Sequence, residues 1–83
     1  MNFLQLKYFL EIARCGNFTY AAERLYLSTP SLSKQIAGLE NELGFKLFVR
    51  KNRGVDLTTE GRRLYGVHLP YLWENRLIYV FPC

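Results

Sequence analysis

The sequence predicts a mainly α fold of the winged helix-turn-helix class: a three-helix core, a two-stranded β wing and the start of a fourth, linking helix. Three observations carry that expectation. Apolar residues recur at three- and four-residue steps as far as Leu43, the spacing of one face of a helix. After Gly44 the pattern changes to two short strand-forming segments around Lys51-Asn52-Arg53-Gly54. Finally, the net charge of +4 is concentrated in residues 46–63, where Lys46, Arg50, Lys51, Arg53, Arg62 and Arg63 face only Asp56 and Glu60.

The first helix spans Phe3 to Ala13, with Phe3, Leu6, Phe9, Leu10 and Ala13 turned inward and Lys7, Glu11 and Arg14 outward; Gly16 ends it. Thr19 is a hydroxyl cap for a second helix, whose inward stripe is Phe18, Ala22 and Leu25. Adjacent Ala21 and Ala22 permit close helix packing. Tyr26 and Leu27 form a short connection before Ser28, Thr29 and Pro30, where a hydroxyl cap and a first-turn proline announce a third helix. Its core face is Leu32, Ile36, Leu39 and Leu43, and Gly44 supplies the left-handed stop.

Lys46 to Arg50 and Val55 to Thr58 then read as two strands, joined by a turn whose asparagine and glycine suit a hairpin. Thr58 or Thr59 caps a fourth helix through Glu60, Arg62 and Leu64. Gly61 matters there only where another backbone passes close by, and Pro70 limits how far the helix continues.

Composition narrows the function classes. At 83 residues the chain makes one small domain at most, and with 49% hydrophobic and 22% charged residues it is built to fold. The single histidine, His68, and the absence of a CxxC pair argue against a zinc finger, and Ser31 has no histidine or acid in a nucleophilic arrangement. No catalytic residue, metal ligand or cofactor is assigned. The longest apolar run, Leu77 to Phe81, is too short to span a bilayer, which gives an expected cytoplasmic location at the nucleoid, with no membrane partner.

With the apolar face of the third helix buried, its other side carries Thr29, Pro30, Ser33, Lys34 and Ala37, and Ser28 stands at the amino-terminal end. A helix enters the major groove only where its contacting side chains do not hold it away. Ser33 and Ala37 allow that approach, while Thr29 and Lys34 reach base edges or phosphates. Free backbone N–H groups at the helix start can also hold a phosphate. Arg53 at the hairpin tip suits a minor groove, and Arg50 and Lys51 suit the phosphate backbone. The expected partner is double-stranded DNA.

These segments resemble the amino-terminal domain of the LysR-type family of bacterial transcription regulators. The likeness covers about residues 1–64 and rests on LQLKYFLEIA, FTYAAERLYLSTPSLSKQI, LENELGFKLFVR and VDLTTEG in register. It implies that the third helix enters the major groove, that the wing touches the minor groove and that a long fourth helix pairs two subunits. Position by position it points to Thr29, Pro30, Ser33 and Lys34 as groove-facing residues, with Arg53 in the wing. Glutamine is frequent in the family at position 29 and arginine at position 34. The shorter Thr29 and the non-bidentate Lys34 mean that a base preference does not carry over.

From residue 65 to 83 the sequence becomes an aromatic-rich tail holding Tyr65, Tyr71, Trp73, Tyr79 and Phe81, unlike the family's continuing helix. The expectations are that residues 1–64 form the DNA-binding domain and that the chain has no effector domain or effector site, as in a truncated regulator. Two rival readings accompany this one. The fold could serve as an interaction module that forms mixed dimers with an intact regulator, or the chain could be an unstable remnant.

Overall fold

The computed structural model describes residues 2–73, with side chains as far as residue 66. Along the described chain come α1 (Phe3–Cys15), α2 (Phe18–Leu25), α3 (Thr29–Leu43), β1 (Phe48–Arg50), β2 (Val55–Leu57) and α4 (Thr59–Trp73). This is the winged helix-turn-helix order read from the sequence.

Each helix start has a polar side chain that satisfies an exposed backbone donor. At α1 a capping box forms: Gln5 N donates to Asn2 Oδ1 at 2.7 Å, and Asn2 N donates to Gln5 Oε1 at 3.3 Å. At α2 the cap is Asn17, whose Oδ1 accepts from Tyr20 N at 2.8 Å, and not Thr19. Helix formation starts two residues earlier than the threonine suggests, so Thr19 lies inside the helix with its side chain exposed. Ser28 caps α3, and Gly44 closes it with a φ of 84°. Thr58 caps α4 by accepting from Gly61 N at 2.9 Å.

The core consists of Tyr8, Phe9 and Ile12 from α1, Ala21 and Ala22 from α2, Leu32, Ile36 and Leu39 from α3, and Leu47 and Val55 from the wing. For α3 this is the face read from the sequence, with Leu43 partly buried at its end. For α1 the stripe differs. Phe3 is 82% exposed, whereas Ile12, outside the expected set, is fully buried. Helical period alone fixes which residues share a face, but Phe3 lies in the first turn and the core clusters farther along, around Phe9 and Ile12.

Phe48, the first residue of β1, fastens the hairpin to the helices. Its ring lies 5.5 Å from that of Phe9 and 5.6 Å, edge-on, from that of Phe18. The two strands pair antiparallel, with Phe48 opposite Leu57 and Arg50 opposite Val55.

Helix α4 runs through Pro70 to Trp73, three residues past the proline expected to limit it. A proline within a helix removes one N–H and crowds the carbonyl four residues back, which weakens or bends a helix without always ending it. The segment read as an atypical tail from residue 65 therefore begins as helix, and Tyr65 packs edge-on to Phe9 at 6.4 Å. The other tail aromatics lie outside the residues whose side chains are described. Among the described residues, no helix is long and apolar enough to cross a membrane.

Candidate nucleic-acid interface

The amino-terminal end of α3 and the wing carry the predicted contact residues. On α3, Lys34, Pro30 and Ala37 are exposed, and Thr29 and Ser33 are partly buried, while Leu32 and Ile36 between them are sunk in the core. The two faces of the helix are cleanly divided, because packing one face against α1 and α2 leaves the small polar one outside.

Ser28 has a more limited role than the sequence suggests. Its Oγ accepts from Ser31 N at 3.2 Å and donates to Ser31 Oγ at 2.8 Å, so the hydroxyl is committed to the cap. The helix start also offers fewer free donors than expected. Pro30 has no N–H, and that of Ser31 is satisfied by Ser28, which leaves the Thr29 N–H as the available one in this stretch. A phosphate bound there would rely on one backbone donor and on neighbouring side chains.

On the wing, Arg50, Lys51 and Arg53 are all exposed. The turn between the strands is closed by Lys51 N donating to Gly54 O at 3.1 Å, and Gly54 has a φ of 87°. That left-handed conformation suits glycine. It also lets β2 begin directly against the α1–α2 turn, where Val55 N donates to Gly16 O at 2.9 Å. A Cβ at residue 54 would overlap the Gly16 carbonyl.

Ion pairing sorts the cations into two groups. Arg14 and Arg24 pair with Glu11, Lys46 approaches Glu40 at 3.8 Å, and Arg62 approaches Asp56 at 3.6 Å. Lys34, Arg50, Lys51 and Arg53 have no acid partner among the described residues, and Lys7 and Arg63 share that state. The charge read from the sequence as one basic hairpin is thus divided. Lys46 and Arg62 at its base are balanced by acids, and the cations toward its tip are not.

One structural residue escaped the sequence reading. Glu40 of α3 accepts a hydrogen bond from Leu47 N at 2.7 Å, and its other oxygen faces Lys46. It ties the far end of α3 to the start of the wing. In the sequence no local signal marks Glu40, because its bond is made across the Gly44 turn. Gly61 completes this junction. Its place against the Leu47 carbonyl leaves no room for a Cβ, and Thr58 binds the same strip of chain, through Thr58 Oγ1 to Lys46 O at 2.7 Å and Thr58 N to Leu47 O at 3.0 Å.

A family model for the bacterial regulatory helix-turn-helix proteins of the lysR family matches residues 3–62. The chain belongs to the lysR family. Among curated LysR-family relatives, the HTH-type transcriptional regulator TfdT of Cupriavidus pinatubonensis is 48% identical over 62 residues, covering 75% of this chain and 27% of the relative. The nitrogen assimilation regulatory protein nac of Escherichia coli is 49% identical over 65 residues, 78% of this chain and 21% of the relative. The chain therefore spans about a quarter of the length of such relatives. These proteins are named as regulators, not as enzymes. Among solved structures, the BenM DBD/catB site 1 DNA complex superposes with a TM-score of 0.79 at 35% identity, over 95% of this chain and 85% of the other.

Proposed function

We propose that this LysR-family domain binds double-stranded DNA sequence-specifically, with the helix at residues 28–43 in the major groove and the wing at residues 46–58 against the minor groove. The observation that carries this reading is the division among the cations. Lys34, Arg50, Lys51 and Arg53 are exposed and without acid partners among the described residues, and they sit on the two elements that present small or turn-forming neighbours. Among the described residues nothing uses their charge, and each can neutralise a phosphate or reach a groove.

Thr29, Pro30 and Ser33 serve as the groove-facing residues beside Lys34, with Ser28 fixing the start of the helix. Arg53 enters the minor groove, and Arg50 and Lys51 bind the backbone. Relatives of similar fold support the assignment, as a BenM domain forms a complex with catB site 1 DNA. Bound in this way, the domain acts at the nucleoid. A second copy joins through α4, which runs from Thr59 to Trp73.

The test is selection of duplexes from a random pool by the whole chain, followed by titration of the recovered DNA at several salt concentrations. Log affinity should fall linearly with log salt, by about 0.9 per neutralised phosphate. A two-fold symmetric motif would support the dimer. Equal affinity for selected and unselected duplexes would rule out sequence-specific binding.

A further inference from the structure

The turn between α2 and α3 contains a side chain that neither the fold nor the proposed contact set explains. Tyr26 is 95% exposed, and it is the only non-glycine residue of positive φ among those described, with a φ of 60° and a ψ of 40°. Its backbone is well used: the N–H caps α2 by donating toward Ala22 O and Glu23 O. Its side chain is not used at all. The phenol makes no hydrogen bond and its ring stacks on no other, among the described residues.

A left-handed residue at a helix end is ordinarily glycine or asparagine, because a larger L residue brings its Cβ against the neighbouring carbonyl. Tyrosine is therefore a poor choice for the backbone and contributes no packing in exchange. Residues held in sparsely populated backbone regions cluster at ligand-binding and other functional sites. The position fits such a role, because Tyr26 lies two residues before the Ser28 cap, at the approach to the groove-facing end of α3.

We propose that Tyr26 is a further DNA-contacting residue, whose phenolic O–H donates a hydrogen bond to a backbone phosphate beside the major groove. The proposal rests on the DNA-binding reading above. Phosphate is favoured over a base for two reasons. Duplex bases present no free face to a ring outside the stack, and tyrosine hydroxyls are among the ordinary donors to phosphate oxygens. The contact positions α3 without reading sequence. Because the phenol is neutral, it displaces no counterion, and this gives it a signature distinct from that of an arginine or lysine contact.

The experiment compares Y26F and Y26G with the unaltered chain, using a duplex recovered from the random pool and a mixed-sequence duplex, each titrated at several salt concentrations. Y26F should weaken binding about 10-fold on both duplexes with an unchanged salt slope, as expected for loss of one hydrogen bond to a charged oxygen. Y26G should weaken binding at least as much, yet melt at a higher temperature than the unaltered chain, because glycine relieves the left-handed backbone. That opposition of stability and affinity separates a contact from a folding defect. Wild-type affinity in Y26F would overturn the proposal, whatever Y26G does, and so would a reduced salt slope or a loss confined to the selected duplex. If the unaltered chain bound neither duplex, the DNA-binding reading itself would fall. Binding by the unaltered chain, matched by both variants, would overturn the role of Tyr26 alone.

Discussion

The root and the tip of the wing are made of the same short hairpin, yet they follow opposite rules. At the root, Leu47 is buried, Phe48 touches two phenylalanines, and Glu40 and Thr58 hold backbone groups of the flanking chain, while Val55, opposite Arg50, carries the clamp up to the turn through its buried side chain and its bond to Gly16 O. At the tip, Arg50, Lys51 and Arg53 are exposed and without ion pairs among the described residues. A two-stranded hairpin is marginally stable alone, so a free cationic tip requires a root clamped by tertiary contacts. Substitutions at the root should therefore act through folding, and substitutions at the tip through affinity.

The largest effect is expected at Gly54, the turn residue between exposed Arg53 and buried Val55, where both left-handed backbone and close approach to the Gly16 carbonyl exclude a side chain. Gly54→Ala should lower stability by about 3 kcal/mol, from overpacking added to backbone strain. Gly44→Ala is the internal control. It has a similar φ of 84° but open space around its would-be Cβ, and should lose only about 1 kcal/mol. Thermal melts of the two variants measure the difference. Equal losses would mean that backbone conformation alone matters and that the wing is not pressed against the α1–α2 turn.

Glu40 comes next in size. Glu40→Ala removes the acceptor of Leu47 N, a part-buried bond, and should cost about 1–2 kcal/mol. Glu40→Gln keeps an acceptor and loses only the exposed pairing with Lys46, whose side chain is 80% exposed, so it should stay within about 0.5 kcal/mol of the unaltered chain. Urea titration distinguishes the two. If glutamine were as costly as alanine, the ion pair and not the backbone bond would be what fastens α3 to the wing.

The contrast between Glu40 and the α3 face also shows where sequence reading succeeds. Ser28, Pro30, the Leu32-Ile36-Leu39 spacing and Gly44 specify α3 through local chemistry, and the structure has each in its expected role. The basic character of the wing is legible as well, but not which of its cations are paired: Lys46 and Arg62 meet acids, and Arg50, Lys51 and Arg53 do not among the described residues. What remained hidden depends on distance. Asn17 and Thr19 are both competent caps, and only the course of the chain selects Asn17. The Glu40 bond and the tight fits at Gly54 and Gly61 join segments separated by turns, so no periodicity announces them. Gly61 matters only where another backbone passes close by, and the Leu47 carbonyl is that backbone.

At the tip, Arg53→Ala should leave the melting curve within about 0.5 kcal/mol, since the side chain is exposed and unpaired among the described residues. Affinity for a selected duplex should fall about 10-fold, and the magnitude of the salt slope should drop by about 0.9 if the guanidinium neutralises one phosphate. A lost affinity with an unchanged slope would mean that Arg53 acts without displacing a counterion. A lost melting temperature would place Arg53 with the root.

Lys34→Ala should have the smallest total effect and the most specific one. Lys34 is exposed in the second turn of α3, directly after Ser33 and one turn from Pro30, on the side opposite Leu32 and Ile36. Alanine is a good helix former, so the fold should be unchanged or slightly stabilised. The flexible ammonium donates to a base edge or a phosphate but cannot make the bidentate, planar contact of an arginine, which limits the expected loss to about 5-fold. The decisive measurement is the ratio of affinities for duplexes that differ by one base pair within the selected motif. A ratio that contracts in Lys34→Ala assigns the ammonium to a base edge and gives α3 its role in selection. A ratio that stays fixed while both affinities fall assigns it to the backbone, so that selection at this end of the helix would rest on Thr29 and Ser33.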